Sequence, residues 1–257
     1  MIHLLLALAP ALEPLRPQEK EPPDPEVVEA AIEGLKAAGK LKDPTERSAA
    51  LRQYGGVAND DVVELVAKSL KDDSPIVQGA AIYVLRYSEL PSSLKALHKA
   101  YKKDKKLKNH MELSSQLVKA IGQHGSKSSI ELLSKDSLSD EYRDRDRARI
   151  LSLGNIRDEE SVEALVTMMT KAGAGRVQTF MGEFRVALMV LTGVDRGDSI
   201  DAWVEWWDEN EDSLEVAKEV PKLPERQRRL WEYFWGLDRT YDRAEKRADR
   251  GNDPERG

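Results

Sequence analysis

Apolar residues recur along this chain with the spacing of short amphipathic helices, arranged as pairs. In residues 147–169, Ile150 and Leu153 lie one helical turn apart, and Gly154 follows as a helix stop. Asp158 is placed to cap a second helix, which carries its own apolar stripe. The pattern predicts an antiparallel helical hairpin that cannot bury its apolar face without neighbours.

The same spacing recurs at five places when positions 55, 86, 122, 154 and 192 are used as reference points. These points are 31, 36, 32 and 38 residues apart, as in proteins built from stacked helical pairs. All twenty positions that lie four and one residues before, or eight and eleven residues after, a reference point are apolar or aromatic. They are Leu51, Tyr54, Val63, Val66, Ile82, Leu85, Leu94, Leu97, Val118, Ile121, Ile130, Leu133, Ile150, Leu153, Val162, Leu165, Leu188, Leu191, Ile200 and Trp203.

Turn and cap residues divide this pattern into five helical units. The units are expected at residues 44–71, 74–106, 107–138, 139–170 and 179–209. Asn59 and Ser126 are expected N-caps, and Pro91 opens a second helix. The stretch from Lys171 to Gly175, KAGAG, is expected to form a loop, but it lacks the Gly-Lys-Ser/Thr ending of a phosphate-binding loop.

Single helices are predicted on both sides of the five units. A helix starting at Pro25 has the register of a second helix and is expected to cap the N-terminal end as a half-repeat. Near the C-terminus, residues 213–250 should contain a linker and one more helix. Its apolar seam needs a partner, for which we expect the exposed end of the last unit. The seam consists of Leu230, Phe234, Leu237, Tyr241 and Ala244.

The terminal segments differ from the repeats in composition. Residues 1–12 are apolar and offer small-x-small cleavage patterns at 7–9 and 9–11, although no Lys or Arg precedes them. We interpret them as a signal peptide, with a simple apolar N-terminus as the alternative. Residues 13–24 form a proline-rich linker, and residues 251–257 are expected to be disordered. The protein is therefore expected in the periplasm or cell envelope, with a cytoplasmic location as the alternative.

These two-helix units resemble HEAT repeats, including the shorter HEAT-like form. The last unit is also similar to the closing repeat of exported HEAT-repeat proteins from planctomycete-type bacteria, which combine LTG, Gly-Asp and Trp-x-x-Trp-Trp. Here these elements are Leu191–Gly193, Gly197-Asp198, Trp203, Trp206 and Trp207. The resemblance implies an all-α, armadillo-like α-α superhelix over residues 25–212, a HEAT-like solenoid of five hairpins. It also implies that second helices line a concave face.

Composition narrows the function without identifying a reaction. The net charge of −6 gives no overall attraction to nucleic acid or acidic lipid, and the absence of cysteine excludes disulfides and thiolate chemistry. The histidines are His3, His98, His110 and His124, and no two have metal-ligand spacing. We expect His98 and His124 to lie in loops or on helix surfaces. No catalytic residue, metal ligand or cofactor is predicted.

Two groups of residues are candidates for partner binding. Residues 95–108 contain seven lysines and one aspartate, and Lys95, Lys99 and Lys102 are the lysines expected to meet an acidic partner. Trp207 and Trp235 are candidates for an aromatic binding surface. The simpler interpretations are a solvated lysine face and tryptophans that close the end of the stack. The charged run 139–149 is interpreted as a solvated helix face.

We therefore expect a non-enzymatic, monomeric scaffold that binds a protein or peptide on its concave face. One alternative is an enzyme on the same architecture, since HEAT-like folds include bilin lyases and alkyl-base DNA glycosylases. Another is a nucleic-acid binder that uses the basic helix at 95–108, although that run lacks arginine and has one aromatic residue. An adaptor that docks through its tryptophan-rich end is a third.

Overall fold

The computed structural model describes residues 22–237, which contain thirteen α-helices and no β-strand. The predicted all-α fold is confirmed for this range. The helices are α1 (Pro25–Ala38), α2 (Pro44–Tyr54), α3 (Asp60–Lys68), α4 (Pro75–Tyr87), α5 (Pro91–Lys103), α6 (Lys105–Lys108), α7 (Leu113–Gln123), α8 (Ile130–Ser134), α9 (Arg143–Leu153), α10 (Glu159–Ala172), α11 (Ala174–Thr192), α12 (Ile200–Asn210) and α13 (Glu225–Trp235).

Most helix starts follow from local capping chemistry. The side chain of Asn59 accepts a hydrogen bond from the N–H of Asp61 at 2.9 Å, and Asp158 caps α10 in the same way. Pro91 is the first residue of α5, as expected. Ser126 stands at its predicted position, but its hydroxyl contacts the hydroxyl of Ser128 at 2.9 Å and caps no backbone N–H.

The helices pack in two layers, mostly between neighbours in the sequence. In the A layer, α2, α4, α7, α9 and α11 each contact the next in this order. In the B layer, α1 contacts α3, α3 contacts α5, and α10 lies between α8 and α12. The first helix, α1, therefore occupies the place of a second helix, as its register predicts.

The repeated apolar positions form the core between these layers. Seventeen of the twenty predicted positions are buried; the other three, Tyr54, Leu94 and Ile200, are partly buried and pack against the same cluster. Leu85, Ile121, Leu153 and Leu191, each one residue before a reference point, are 0% exposed. The spacing therefore identifies correctly which face of each helix is buried.

The reference-point glycines permit close helix packing. Gly154 has the right-handed φ of −59°, so it is not the left-handed stop that its position suggests. A Cβ atom on Gly154 would lie 2.8 Å from Cα of Ala187 in α11. A Cβ on Gly122 would likewise lie 2.9 Å from Cα of Ser152 in α9. Any side chain at these positions would force neighbouring A-layer helices apart.

The predicted loop between α10 and α11 is wrong. Helix α10 continues to Ala172 and α11 begins at Ala174, so Gly173 alone interrupts the helical backbone. Its φ of +77° and ψ of 147° provide the change of direction. The alanine and lysine residues on either side favour helix, so one glycine is sufficient for the junction.

The charged run 139–149 is only partly a solvated face. Asp146 and Arg149 are 0% exposed, and Arg145 is 6% exposed. The guanidinium of Arg149 donates to the carbonyl oxygen of Leu133 at 2.6 Å and also to that of Asp136. These contacts hold the turn after α8 against α9, which explains why charged side chains are buried here.

The last described helix, α13, lies across the A layer. It packs on α11, and the guanidinium of Arg86 in α4 donates to the carbonyl oxygen of Trp235 at 3.3 Å. The ammonium of Lys119 in α7 lies 5.1 Å from the ring centre of Phe234. The packing surface therefore includes α11 of the last unit, where we expected the partner, but it also extends over α4 and α7.

Several sequence predictions concern residues that the structure does not describe. Segment 1–12, most of linker 13–24, seam residues Tyr241 and Ala244, and tail 251–257 lie outside residues 22–237. Within the described range, no helix has both the length and the apolar character needed to cross a bilayer.

Candidate functional site

A groove of about 1060 Å³ lies on the B layer between α3 and α5 and ends at α6. One wall is the face of α3 that carries residues 60, 63, 64, 67 and 68. The other is the face of α5 that carries residues 92, 95, 96, 99, 100 and 103. Both sets have the three- and four-residue steps of one helical face, so each helix presents a continuous stripe to the groove.

The floor of the groove is apolar and made of small side chains. Val63, Leu70 and Ala100 are buried, and Ala67 and Ala96 are partly buried. Three of these five residues are alanines, and their short side chains leave open the space that longer ones would fill. This part of the groove is therefore available to apolar groups of a ligand.

Lysines form the rim of the groove. Lys71, Lys95, Lys99, Lys103, Lys105 and Lys106 are exposed, and none has an ion pair among residues 22–237. A seventh, Lys68, pairs with Glu64 at 2.9 Å. Six positive charges thus surround the floor without a carboxylate partner in the part of the chain that the structure describes.

The three carboxylates beside the groove already have partners. Glu64 is paired with Lys68. Asp60 accepts a hydrogen bond from the hydroxyl of Ser92 at 2.6 Å, and Asp104 accepts one from the N–H of Leu107 at 3.0 Å. The groove is therefore strongly cationic, unlike the chain as a whole.

The structure places two of the three predicted lysines in the groove. Lys95 and Lys99 line the groove, whereas Lys102 is exposed on α5 but is not a lining residue. The opposite wall contributes Lys68, which we did not single out from the sequence. Lys68 lies thirteen residues after the reference point at 55, and Lys99 lies thirteen residues after the one at 86. Because they occupy equivalent positions in neighbouring units, the repeat spacing could have predicted that they lie close together.

The predicted tryptophans lie away from the groove. Trp207 is partly buried and packs against the core from α12, near the fully buried Trp203. Trp235 is 7% exposed, and its ring centre lies 5.9 Å from the guanidinium of Arg86. Neither residue lines the groove, so the structure does not join the two groups of candidates into one site.

A smaller cavity of about 380 Å³ lies between α8 and α10. Its polar lining includes Glu131, Glu160 and Glu163, together with Lys135 and Lys171. Glu160 already pairs with Lys127 at 2.8 Å. The mixed charge and the smaller volume make this cavity a less specific candidate than the groove.

The loop of the closing motif is held by its own contacts. Arg185 binds Asp195 through two hydrogen bonds of 2.8 and 2.7 Å, and it also binds Asp198 at 2.9 Å. The indole N–H of Trp203 donates to the carbonyl oxygen of Gly197 at 3.0 Å. Gly197, Asp198 and Trp203 of the motif therefore have a structural role: they fix the loop that joins α11 to α12.

Two of the three histidines in the described range, His98 and His124, contact neighbouring units. Nε2 of His98 lies 2.8 Å from Oγ of Ser129, and Nε2 of His124 lies 3.0 Å from the carbonyl oxygen of Leu85. Burial lowers the pKa of both. His98 lies on α5 and His124 lies in the turn after α7, and both are partly buried by these contacts. No cluster of potential metal ligands occurs in residues 22–237.

The chain matches no protein-family model, and a search of curated proteins also finds no match.

Proposed function

We propose that residues 25–212 form a HEAT-like solenoid that acts as a non-enzymatic scaffold and binds a protein or peptide through the B layer. The ordered contacts within each layer and the repeated core support the solenoid part of the proposal. In HEAT-like folds the second helices line the inner surface, and here these are the helices of the B layer. The groove between α3 and α5 is the proposed contact region.

The observation that carries this proposal is the uncompensated charge of the groove. Six lysines without ion pairs within the described range surround an apolar floor. Such a surface attracts a negatively charged partner by long-range electrostatics and retains it by apolar contact. The groove contains no arrangement of nucleophile, base and orienting group, so binding explains it better than catalysis.

The test compares the retention of acidic, neutral and basic synthetic peptides on immobilised protein. Acidic peptides should be retained by the unmodified chain and lost with Lys95→Glu/Lys99→Glu. The single variants Lys99→Glu and Lys102→Glu form a matched pair, because both residues are exposed on α5 and only Lys99 lines the groove. Equal loss with both, or no preference for acidic peptides, would contradict the groove as the binding surface.

Retention of the protein on nucleic acid distinguishes the proposed peptide-binding scaffold from a nucleic-acid binder. If the lysine rim served a nucleic acid, duplex DNA would be retained at low salt and released steeply as salt rises. We expect acidic peptides to be retained in conditions where duplex DNA is not. Retention of duplex DNA in conditions where acidic peptides are not retained would favour the nucleic-acid binder over the scaffold.

Export and a monomeric state are part of the same proposal. They rest on the apolar segment 1–12 and on a repeat stack with a helix proposed at each end, and they have separate tests. Intact mass of the native protein should correspond to cleavage after Ala9 or Ala11. Sedimentation should give a monomer whose mass does not depend on concentration. An uncleaved N-terminus would support the cytoplasmic alternative.

A further inference from the structure

We infer that the groove binds an acidic amphipathic α-helix of a partner protein, with its apolar stripe on the floor and its carboxylates on the lysine rim. This inference rests on the proposed function and specifies the kind of partner. It follows from three properties of the groove: the lack of backbone partners, the small side chains of the floor and the spacing of the lysines.

The groove offers no hydrogen-bonding edge to an extended peptide. Its walls are α3 and α5, whose backbone N–H and C=O groups in the middle of the groove are already paired within each helix. The hydroxyl of Ser92 is bonded to Asp60. An extended peptide on this floor would lose water from its backbone amides without gaining partners, at a large cost. A helix pairs its own backbone groups and avoids this cost.

The small side chains of the floor favour an occupant with large apolar residues. Ala67 and Ala96 face the groove from opposite walls, and Ala100 follows one turn after Ala96. Leu or Phe side chains of a helix, repeated every three or four residues, would fill the space between these alanines. Polyanions without apolar groups would leave the floor in contact with water.

The lysines on α5 are spaced like side chains on a helix. Lys95, Lys99 and Lys103 are four residues apart, so neighbouring lysines are separated by about 6 Å along the helix axis. Carboxylates at every fourth position of a bound helix have the same repeat of about 6 Å. Lys71 lies on the α3 side, and an acidic edge on each side of the apolar stripe would therefore meet positive charge.

An anionic membrane surface is the strongest competing occupant, and the floor distinguishes it from a helix. A flat bilayer would contact the rim lysines, because these side chains are exposed. It would not enter the groove between α3 and α5 far enough to contact Ala67 and Ala96, which are partly buried and line its floor. Sensitivity to a substitution in the floor is therefore expected for a helix and not for a membrane.

The experiment uses two fluorescein-labelled peptides of identical composition and about 18 residues, a length that allows a helix to form on binding. One places Glu at every fourth position beside a stripe of Leu, and the other has the same residues in an order without amphipathic periodicity. Fluorescence anisotropy gives the dissociation constants, and circular dichroism gives the helix content of the bound peptide. We expect the amphipathic peptide to bind at least about tenfold more tightly and to gain helix content.

Matched variants of the full chain locate the contacts. Ala96→Gln fills the groove, whereas Ala164→Gln places the same change at a partly buried alanine of the cavity between α8 and α10. Ala96→Gln and Lys99→Glu should each weaken binding about tenfold, and Ala164→Gln and Lys102→Glu should change it by less than about twofold. Thermal unfolding of each variant verifies that the fold is retained.

The outcomes separate failure of this inference from failure of the proposed function. If the two peptides bind equally well and Lys99→Glu weakens the binding of both, the protein is a scaffold for acidic peptides but does not select a helical partner. Phosphatidylglycerol vesicles that bind equally well to Ala96→Gln and to the unmodified chain, while neither peptide binds, would assign the rim to a membrane surface. Absence of binding by every acidic peptide would overturn both proposals.

Discussion

The side chains of Arg149 and Asp146 form an ion pair of 2.8 Å, and neither is exposed to solvent. Both belong to α9, one helical turn apart. Arg149 also donates to backbone carbonyls after α8, while Asp146 accepts the N–H of Ser139 at 2.6 Å. The pair therefore links the turn between two units to the helix that follows it.

Removing one partner should be strongly destabilising. Arg149→Leu removes the closest counter-charge of the buried Asp146 carboxylate and the side-chain donor of several carbonyl oxygens, which should lower the free energy of unfolding by about 3–5 kcal/mol. Urea denaturation measures this change. Arg143→Leu, at an exposed position of the same helix, is the control and should change stability by less than about 0.5 kcal/mol. Similar midpoints for the two variants would contradict the role of the buried pair.

Two helical glycines should respond in opposite directions to alanine. Gly122→Ala should destabilise the protein, because its Cβ would lie 2.9 Å from Cα of Ser152. Gly79→Ala should stabilise it by about 0.5–1 kcal/mol, because its nearest neighbour is an ordinary 3.5 Å contact with Leu113. Thermal unfolding measures both, and the double variant Gly122→Ala/Ser152→Gly should recover part of the loss. A neutral or stabilising effect of Gly122→Ala would show that helix spacing does not depend on Gly122.

The docking of α13 should depend on pH through Lys119. Burial lowers the pKa of Lys119 to about 8, and the nearby charge of Arg86 acts in the same direction. The unfolded chain, with an ordinary lysine pKa near 10.4, then binds more protons than the folded chain between these values. Stability linked to Lys119 should therefore rise with pH from about 8 to about 10.4 and be smallest below that window.

The measurement is the difference in unfolding free energy between the unmodified chain and Lys119→Met at pH 8 and pH 10. Other lysines and tyrosines titrate in both proteins, so their contributions largely cancel. The unmodified chain should gain stability relative to the variant as pH rises. A difference that is constant with pH would show that Lys119 keeps an ordinary pKa beneath Phe234.

Glycine should be favoured at position 193 because the backbone there adopts a left-handed conformation. It ends α11 with a φ of +73°, and a Cβ atom added there would have no neighbouring atom within 4 Å. Gly193→Ala should cost about 1 kcal/mol from strain alone, and Gly193→Asn should cost less because Asn tolerates this conformation. Gly175→Ala, in α11 with equally open space, should be neutral or stabilising. Chemical denaturation of the three variants checks this order.

The apolar spacing alone was sufficient to predict the all-α fold, the helical pairs and their core positions. Ile150, Val162 and their equivalents are buried because each helix has one apolar face, and water drives every such face inward. Caps such as Asn59 and Asp158 were also predictable, because capping is a local interaction between residues two or three positions apart.

Contacts between distant parts of the chain were decided by the tertiary structure. Local charge patterning gave no sign that Arg149 would be enclosed, because its acceptors lie on a turn that packs beside it only after folding. The docking of α13 on Arg86 and Lys119 joins positions more than a hundred residues apart, and nothing in the spacing of α13 selects that surface. The groove arose in the same way: Lys95 and Lys99 were visible as a basic run, whereas the alanine floor and the wall of α3 exist only when two helical pairs stack.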